Sequence, residues 1–180
     1  MILGPKKLLE LVKKVKLVEN LSKRELTSPE GAGFDLRIGE VHEISGGKAF
    51  LGEFERETPE IKTLITYKKT KKQSFVFKLN KYYLISTIEK VNTPQNISIN
   101  FKPRTTTFRS GLIMRTGNVA PGYCGKLTFG IINHGPLPVK IEMGARVVHA
   151  QFYWVDGGGN QYRGQWQGGR VTTKGKEKQI

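Results

Sequence analysis

Short segments in which apolar and polar residues alternate recur along this chain, and they constrain its fold more than any other feature. Phe34–Ile38 and Ile97–Phe101 are two clear examples. Alternation of this kind places one set of side chains on one face of a β-strand and the other set on the opposite face. The segments return about every 8–12 residues between Gly-, Pro- and Asn-rich turns, which predicts an all-β domain built as a barrel or as two packed sheets.

One segment near the N-terminus has a helical pattern instead. Residues 6–18 repeat Leu and Val at helical spacing with lysines between them, and Pro5 suits the first turn of a helix. We interpret this segment as an amphipathic helix that packs on the domain rather than on a membrane. We expect no membrane span, because no apolar run approaches the required length. The single Cys124 excludes an internal disulfide framework and favours a cytoplasmic location.

The charge of the chain is strongly positive. Thirty Lys and Arg residues against fifteen Asp and Glu give a net charge of +15. Such a balance indicates a polyanionic partner, whether a nucleic acid, a nucleotide or an acidic surface. The lysines are scattered, however, and aromatic residues are not interleaved with them as in a single-strand binding face. We therefore assign most of them to a solvated surface, and nucleic-acid contact is not expected.

Two neighbouring blocks are candidates for a binding site. Residues 104–111 place Arg104 and Arg109 around three threonines, and guanidinium groups with hydroxyls are good ligands for phosphate oxygens. Residues 117–125 are rich in Gly and Pro, so their backbone can turn sharply and present N–H and C=O groups to a flat ligand. Together the blocks could hold a nucleotide. A hairpin with surface arginines is an equally compatible interpretation of these residues alone.

Three further segments complete the pattern. Asp35 and Arg37 lie two residues apart on one face of a predicted strand, which predicts a structural ion pair between them. Residues 40–72 show only a weak pattern and are interpreted as a hairpin excursion with a mobile tip. Residues 161–171 combine aromatic, amide, arginine and glycine residues, as expected of a segment that closes over a ligand. The alternative for this last segment is an ordered C-terminal strand, followed from Lys174 by a disordered end.

Taken in order, five motifs resemble those of the dUTPase and dCTP deaminase superfamily. The motifs are Ala32–Arg37, Pro103–Thr106 with Arg109 and Gly111, Pro121–Gly125, Gly144–Arg146, and Tyr162–Gln167. The resemblance spans essentially the whole chain. It implies a distorted jelly-roll, the dUTPase-like β-clip barrel, with a short N-terminal helix and a C-terminal closing arm. It also implies one such domain over residues 1–171, followed by a Lys-rich flexible tail over residues 172–180.

The resemblance further implies an assembly, a ligand and a set of site residues. The assembly is a homotrimer with its active sites at the subunit interfaces. The ligand is a deoxynucleoside triphosphate, dUTP or dCTP, with Mg²⁺ held through its phosphates and not by side chains. The implied phosphate-binding residues are Arg104, Thr105, Thr106 and Arg109. The implied base and sugar site comprises Asn118, Val119, Ala120 and Tyr123, with Tyr123 under the deoxyribose. The closing arm contributes Tyr162, Gln167 and Arg170.

The chain departs from the family pattern at its acid/base positions. The family usually has an Asp before the Pro-Gly-aromatic turn, where this chain has Ala120. The deaminase branch uses a Glu in the following strand, where this chain has Gly130. Neither side chain can transfer a proton. The dUTPase-type Gln falls on His149. A zinc deaminase site is not predicted either, because its His-x-Glu and Pro-Cys-x-x-Cys motifs are missing.

Three functional hypotheses follow from the resemblance and the departures. The first is hydrolysis of dUTP to dUMP and pyrophosphate, which needs no ring chemistry and depends on positioning and charge stabilisation. Ala120 should slow this reaction unless another carboxylate, such as Asp35, reaches the attacking water. The second is deamination of dCTP to dUTP, against which Gly130 argues. The third is a catalytically impaired homologue that binds nucleotides in a regulatory role.

Overall fold

The computed structural model describes residues 1–179, in which three helices and thirteen strands are formed. The helices are α1 (Pro5–Val15), α2 (Lys23–Thr27) and α3 (Thr105–Arg109). The strands are β1 (Val18–Glu19), β2 (Phe34–Gly46), β3 (Phe50–Leu51), β4 (Glu55–Glu57), β5 (Glu60–Thr66), β6 (Ser74–Phe77), β7 (Tyr82–Asn92), β8 (Ile97–Pro103), β9 (Leu112–Arg115), β10 (Cys124–Asn133), β11 (Val139–Glu142), β12 (Arg146–Trp154) and β13 (Glu177–Lys178).

Most of these strands form one antiparallel sheet that is nearly closed into a barrel. Its strand order is β8-β12-β2-β7-β10-β9, with β5 paired to β2 and β1 paired to β7. The barrel interior is filled by fully buried apolar side chains, among them Phe34, Leu36, Ile85, Ile131 and Phe152. The predicted all-β barrel with a short N-terminal helix is confirmed.

The N-terminal helix is amphipathic, as predicted, but shorter. Pro5 occupies its first turn and Leu8 is completely buried against the barrel. The helix ends at Val15 because Lys16 takes the left-handed conformation, with a φ of 52°, and its N–H bonds back to the Leu11 carbonyl. Val18, predicted as helical, instead begins β1 and pairs with Val91. No helix within residues 1–179 combines the length and apolar character needed to cross a membrane.

The predicted excursion over residues 40–72 is partly integrated into the barrel. Val41 and His42 are buried in the middle of β2, and β5 runs back along β2 as the second half of a hairpin. Only β3 and β4 stand apart, in a small sheet that β13 completes. The sequence pattern is weak here because the polar His42 is buried whereas the apolar Ile44 and Leu51 are exposed, so polarity does not mark the solvent side. Mobility of the tip stays a prediction.

The strands β5, β2, β7 and β10 position the candidate site. On one face of this sheet lie core side chains such as Ile85 and Ile131. The other face carries residues that alternate with these along each strand, including Leu84 and Thr128. Residues that follow β12, referred to below as the closing arm (residues 155–173), cross this second face.

Candidate functional site

A cavity of about 430 Å³ lies between the second face of the sheet and the closing arm. This volume is within the usual range for small-molecule sites. The wall on the sheet side carries Tyr82, Leu84 and Thr128, and the arm covers the cavity with Tyr162, Trp166, Arg170 and Val171. A third wall is the turn formed by residues 117–123. The cavity is therefore built within one chain from segments that are far apart in sequence.

The turn wall is held rigidly by backbone hydrogen bonds. Val119 donates to and accepts from the backbone of Ile99, with N···O distances of 2.8 and 3.0 Å. The Thr93 hydroxyl lies 3.0 Å from the Ala120 carbonyl oxygen and 2.9 Å from that of Tyr123. Within residues 1–179, the backbone groups of Asn118 and the N–H of Ala120 have no hydrogen-bond partner. These groups on the wall can hydrogen-bond a ligand.

The closing arm is fastened to the same turn. The Tyr162 N–H donates to the Pro121 carbonyl at 2.7 Å. The Gln167 side chain accepts from the Cys124 N–H at 3.0 Å and donates to the Gly122 carbonyl at 3.1 Å. Gln167 therefore joins the arm to the turn and does not line the cavity. Of the three predicted arm residues, Tyr162 and Arg170 do line it.

The side chain of Tyr123 packs against the arm and bonds to the chain that follows the turn. Its ring packs edge-on against that of Tyr162 with the centroids 5.3 Å apart. Its hydroxyl donates to the Lys126 carbonyl at 2.6 Å. Burial raises the pKa of Tyr123 to about 12, so the phenol stays neutral at physiological pH. A neutral aromatic side chain at the cavity wall suits the packing role that the family resemblance implies for it.

The C-terminal end of the arm and the residues that follow it contact the small sheet of β3, β4 and β13. Thr173 and Thr172 both hydrogen-bond to Thr58, at 2.9 Å in each case. Arg170 forms an ion pair with Glu177, with a shortest N···O distance of 2.5 Å. Strand β13 pairs with β4. Flexibility of residues 172–180 in solution stays a prediction, and Ile180 lies outside the described residues.

Gly130 faces the side chain of Tyr82. A Cβ atom placed on Gly130 would overlap the Tyr82 hydroxyl, so the phenol fills the space that a side chain at position 130 would need. No Asp, Glu or His of the described chain lines the cavity, and Arg170 is its one charged lining residue. The cavity therefore offers no carboxylate or imidazole for acid/base chemistry on a bound ring. The role of Tyr82 was missed by the sequence analysis, because only the strand register brings it against Gly130.

Asp35 and Arg37 do not pair with each other, so the predicted ion pair is wrong. Asp35 pairs instead with Arg104, with Arg146 at 3.0 Å and with His149 at 2.9 Å. Arg37 pairs with the buried Glu89, with Nε 2.6 Å from Oε1. The reason is the sheet register: β12 lies beside β2 and places His149 directly opposite Asp35. Cross-strand neighbours are closer than residues two apart along a strand.

This cluster decides what Asp35 can do chemically. Its side chain is almost completely buried and is surrounded by cationic or hydrogen-bonding groups. Burial also lowers the pKa of His149, which favours the neutral ring in this cluster. Asp35 does not line the cavity. These contacts make Asp35 a poor substitute for the family's water-orienting carboxylate.

The predicted phosphate-binding residues lie away from the cavity of the same chain. Arg104 caps α3 and is engaged with Asp35, while Thr105, Thr106 and Arg109 are exposed on α3. Thr107 anchors this helix by donating to the Val147 carbonyl at 3.0 Å. None of the four predicted residues lines the cavity. One chain therefore brings together the turn and the arm, but not the phosphate block.

Comparison with known proteins agrees with this fold. Residues 2–154 match the family model described as dCTP deaminase-like. A probable deoxyuridine 5'-triphosphate nucleotidohydrolase of Methanopyrus kandleri is 31% identical over 137 residues, which cover 75% of this chain and 84% of the relative. A dCTP deaminase of Pyrococcus furiosus is 29% identical over 170 residues, 94% of this chain and 96% of the relative.

A solved structure shows the same fold. The 2'-deoxycytidine 5'-triphosphate deaminase of Agrobacterium tumefaciens matches with a TM-score of 0.64 at 16% identity. The match covers 84% of this chain and 47% of that chain, so this protein spans about half the length of the solved relative. The family match and these relatives together define a protein of the dUTPase and dCTP deaminase class. This chain belongs to the dCTP deaminase-like family.

Proposed function

We propose that this protein binds dUTP and hydrolyses it to dUMP and pyrophosphate, without deaminating dCTP. The observation that carries the proposal is the contact between Gly130 and Tyr82, in a cavity that no carboxylate or imidazole of the described chain lines. Deamination needs a proton to be moved between water and the departing amine. Hydrolysis of the triphosphate makes no such demand on the ring pocket. Relatives carry the names of both enzymes, and this contact favours the hydrolase.

The pyrimidine ring would occupy the cavity against the turn. The unpaired backbone groups of Asn118 and the Ala120 N–H would hydrogen-bond the polar edge of the base. Tyr123 would pack under the deoxyribose, where a 2'-hydroxyl would be crowded. Tyr162 and Trp166 would cover the bound nucleotide from the arm. Arg170 would bind the phosphates, and its ion pair with Glu177 would then break.

The phosphate block would come from a neighbouring copy of the chain. Thr105, Thr106 and Arg109 are exposed and lie outside their own chain's cavity, as expected if they serve another subunit. A homotrimer of this kind would complete each site with Arg104 and Arg109 from the adjacent copy. Guanidinium groups would then stabilise the charge on the phosphate oxygens during hydrolysis.

The residues of this site are compatible with Mg²⁺ that is held by the phosphates of the substrate. Within residues 1–179, no three His, Cys, Asp or Glu side chains converge as a metal site. Mg²⁺ commonly binds through substrate phosphates and waters, with few protein ligands. When bound, it neutralises charge on the phosphates. The protein's own part is to hold the nucleotide in the cavity and to exclude bulk water with the arm.

A second candidate function is nucleotide binding without catalysis. Ala120 cannot orient a water molecule, and Asp35 is engaged by Arg104, Arg146 and His149. No carboxylate of the described chain lines the cavity to take over that role. The two candidates share the same site and differ in the rate of hydrolysis.

Product analysis separates these functions. We expect purified protein with Mg²⁺ to release pyrophosphate from dUTP slowly and to release no ammonia from dCTP. Ala120→Asp is expected to accelerate dUTP hydrolysis by roughly 10²–10⁴-fold, the usual contribution of a positioned acid/base group. Ala120→Asn is the matched control, because it adds similar volume without a carboxylate that can accept a proton.

Each outcome of this assay decides between the candidates. Pyrophosphate release by the wild-type protein supports the hydrolase. Binding of dUTP without any pyrophosphate release, also in Ala120→Asp, would establish the binding protein instead. Ammonia released from dCTP by the wild-type protein would contradict the proposal, since it would show that the acid/base group has been misassigned.

A further inference from the structure

A row of polar side chains crosses four adjacent strands beneath the cavity. Thr63 of β5 lies 2.9 Å from Nδ1 of His42 on β2. Nε2 of His42 lies 3.0 Å from the Ser86 hydroxyl on β7, and that hydroxyl lies 3.2 Å from the Thr128 hydroxyl on β10. His42 and Ser86 are each only 2% exposed, whereas Thr128 lines the cavity. The row therefore connects the interior of the sheet to the ligand space.

The surroundings of the histidine in this row favour its neutral form. Burial lowers the pKa of His42, the nearby Glu40 raises it in part, and Lys126 lowers it further. A neutral imidazole has one N–H donor and one acceptor nitrogen. Which nitrogen carries the proton then determines the direction of every hydrogen bond in the row.

The carboxylate of Glu40, which also pairs with Lys126, favours one tautomer of this ring. Its Oε2 lies 3.6 Å from Nε2 of His42, too far for a hydrogen bond but close enough to favour the proton on that nitrogen. Nε2 then donates to the Ser86 hydroxyl, and Nδ1 accepts from Thr63. Because the Ser86 oxygen accepts from His42, its own proton is directed to the Thr128 oxygen. The Thr128 hydroxyl proton is left for the cavity.

We infer that Thr128 is a specificity-determining residue that donates a hydrogen bond to the 4-carbonyl of uracil, and that His42 positions it as a donor. Uracil has a carbonyl acceptor at ring position 4, whereas cytosine has an amino donor there. With cytosine, the Thr128 hydroxyl would face the 4-amino group. Both groups are donors, so neither would form a hydrogen bond. This inference rests on the proposed function and adds the base preference of the same cavity.

Thr128→Val tests the inference because it removes the hydroxyl and keeps the side-chain shape. Thr128→Ser is the matched control that keeps the hydroxyl. Calorimetry with the α,β-imido analogues of dUTP and dCTP avoids turnover during the measurement. We expect the wild-type protein to bind the uracil nucleotide roughly 10-fold or more tightly, since an unpaired buried donor is costly. Thr128→Val should reduce this preference to near equality, and Thr128→Ser should retain it.

His42 is tested as a positioning residue by the same ratio. His42→Leu, with Thr128 intact, should lower the preference for uracil, while His42→Gln, which can still donate to Ser86, should retain more of it. If His42 had a purely structural role, its replacement would weaken the binding of both nucleotides equally. An unchanged ratio in Thr128→Val, or an equal loss for both bases, would overturn the inference and leave the proposed function standing. Failure of the wild-type protein to bind either nucleotide would overturn both.

Discussion

Replacing Asp35 by alanine is expected to lower the free energy of unfolding by about 3 kcal/mol, the lower part of the range for removing one partner of a buried ion pair. Its side chain is 4% exposed and holds Arg104 and Arg146 together at the junction of β2, β8 and β12. Without the carboxylate these guanidinium groups repel one another across a partly buried space. We choose the lower end of this energy range because the side chains of both arginines are partly exposed, at 27% and 32%.

Denaturant titration of Asp35→Ala measures this effect. Asp35→Asn is the informative second variant, since it keeps one hydrogen-bond acceptor but removes the charge, and its stability should fall between those of the wild type and Asp35→Ala. Asp156→Asn is a matched control at an exposed turn and should leave the midpoint unchanged. Equal stability of Asp35→Ala and the wild type would contradict the structural role and reopen a catalytic one.

Replacing Gly130 by glutamate is expected to destabilise the protein by about 1–3 kcal/mol, the usual cost of overpacking, and to give no deaminase activity. The family's deaminase branch has Glu at this position, so the substitution is the direct test of what its absence means. In this chain the new side chain would collide with the Tyr82 hydroxyl. It would also place a carboxyl group against the apolar wall near Leu84.

A double variant separates the steric clash with Tyr82 from the effect of the new carboxyl group on deamination. Tyr82→Ala combined with Gly130→Glu vacates the phenol and should recover part of the lost stability. Tyr82→Ala alone is the control for loss of the ring. Thermal unfolding and ammonia release from dCTP are the two readouts. A stable Gly130→Glu single variant that deaminates dCTP would contradict the contact with Tyr82 as the reason for the missing activity.

The elements that could be predicted from sequence are those with a local signal. Alternation over Ile97–Phe101 predicted β8, and Pro5 with the Leu and Val repeat predicted α1. The Gly-Pro turn at residues 117–123 was expected to present backbone groups, and Asn118 and Ala120 do have unpaired ones. In each case the physical cause lies within a few residues of the chain, so the sequence contains it.

The features that were missed depend on strand register. Nothing local indicates that Tyr82 meets Gly130, or that Asp35 faces His149 on a neighbouring strand. The polar row from Thr63 to Thr128 likewise exists only when four strands are aligned. The buried polar His42 and the exposed apolar Ile44 also weakened the alternating pattern over residues 40–46. The chemistry of the site therefore rests mainly on tertiary pairing.

The most direct test of the proposed site is a crystal structure of the protein with Mg²⁺ and the α,β-imido analogue of dUTP. We expect the uracil ring in the cavity, with its 4-carbonyl oxygen about 2.8 Å from the Thr128 hydroxyl. The phosphates should contact Arg109 of an adjacent copy in a trimer. A nucleotide bound with its base outside this cavity, away from Thr128 and the turn at residues 117–123, would contradict the account.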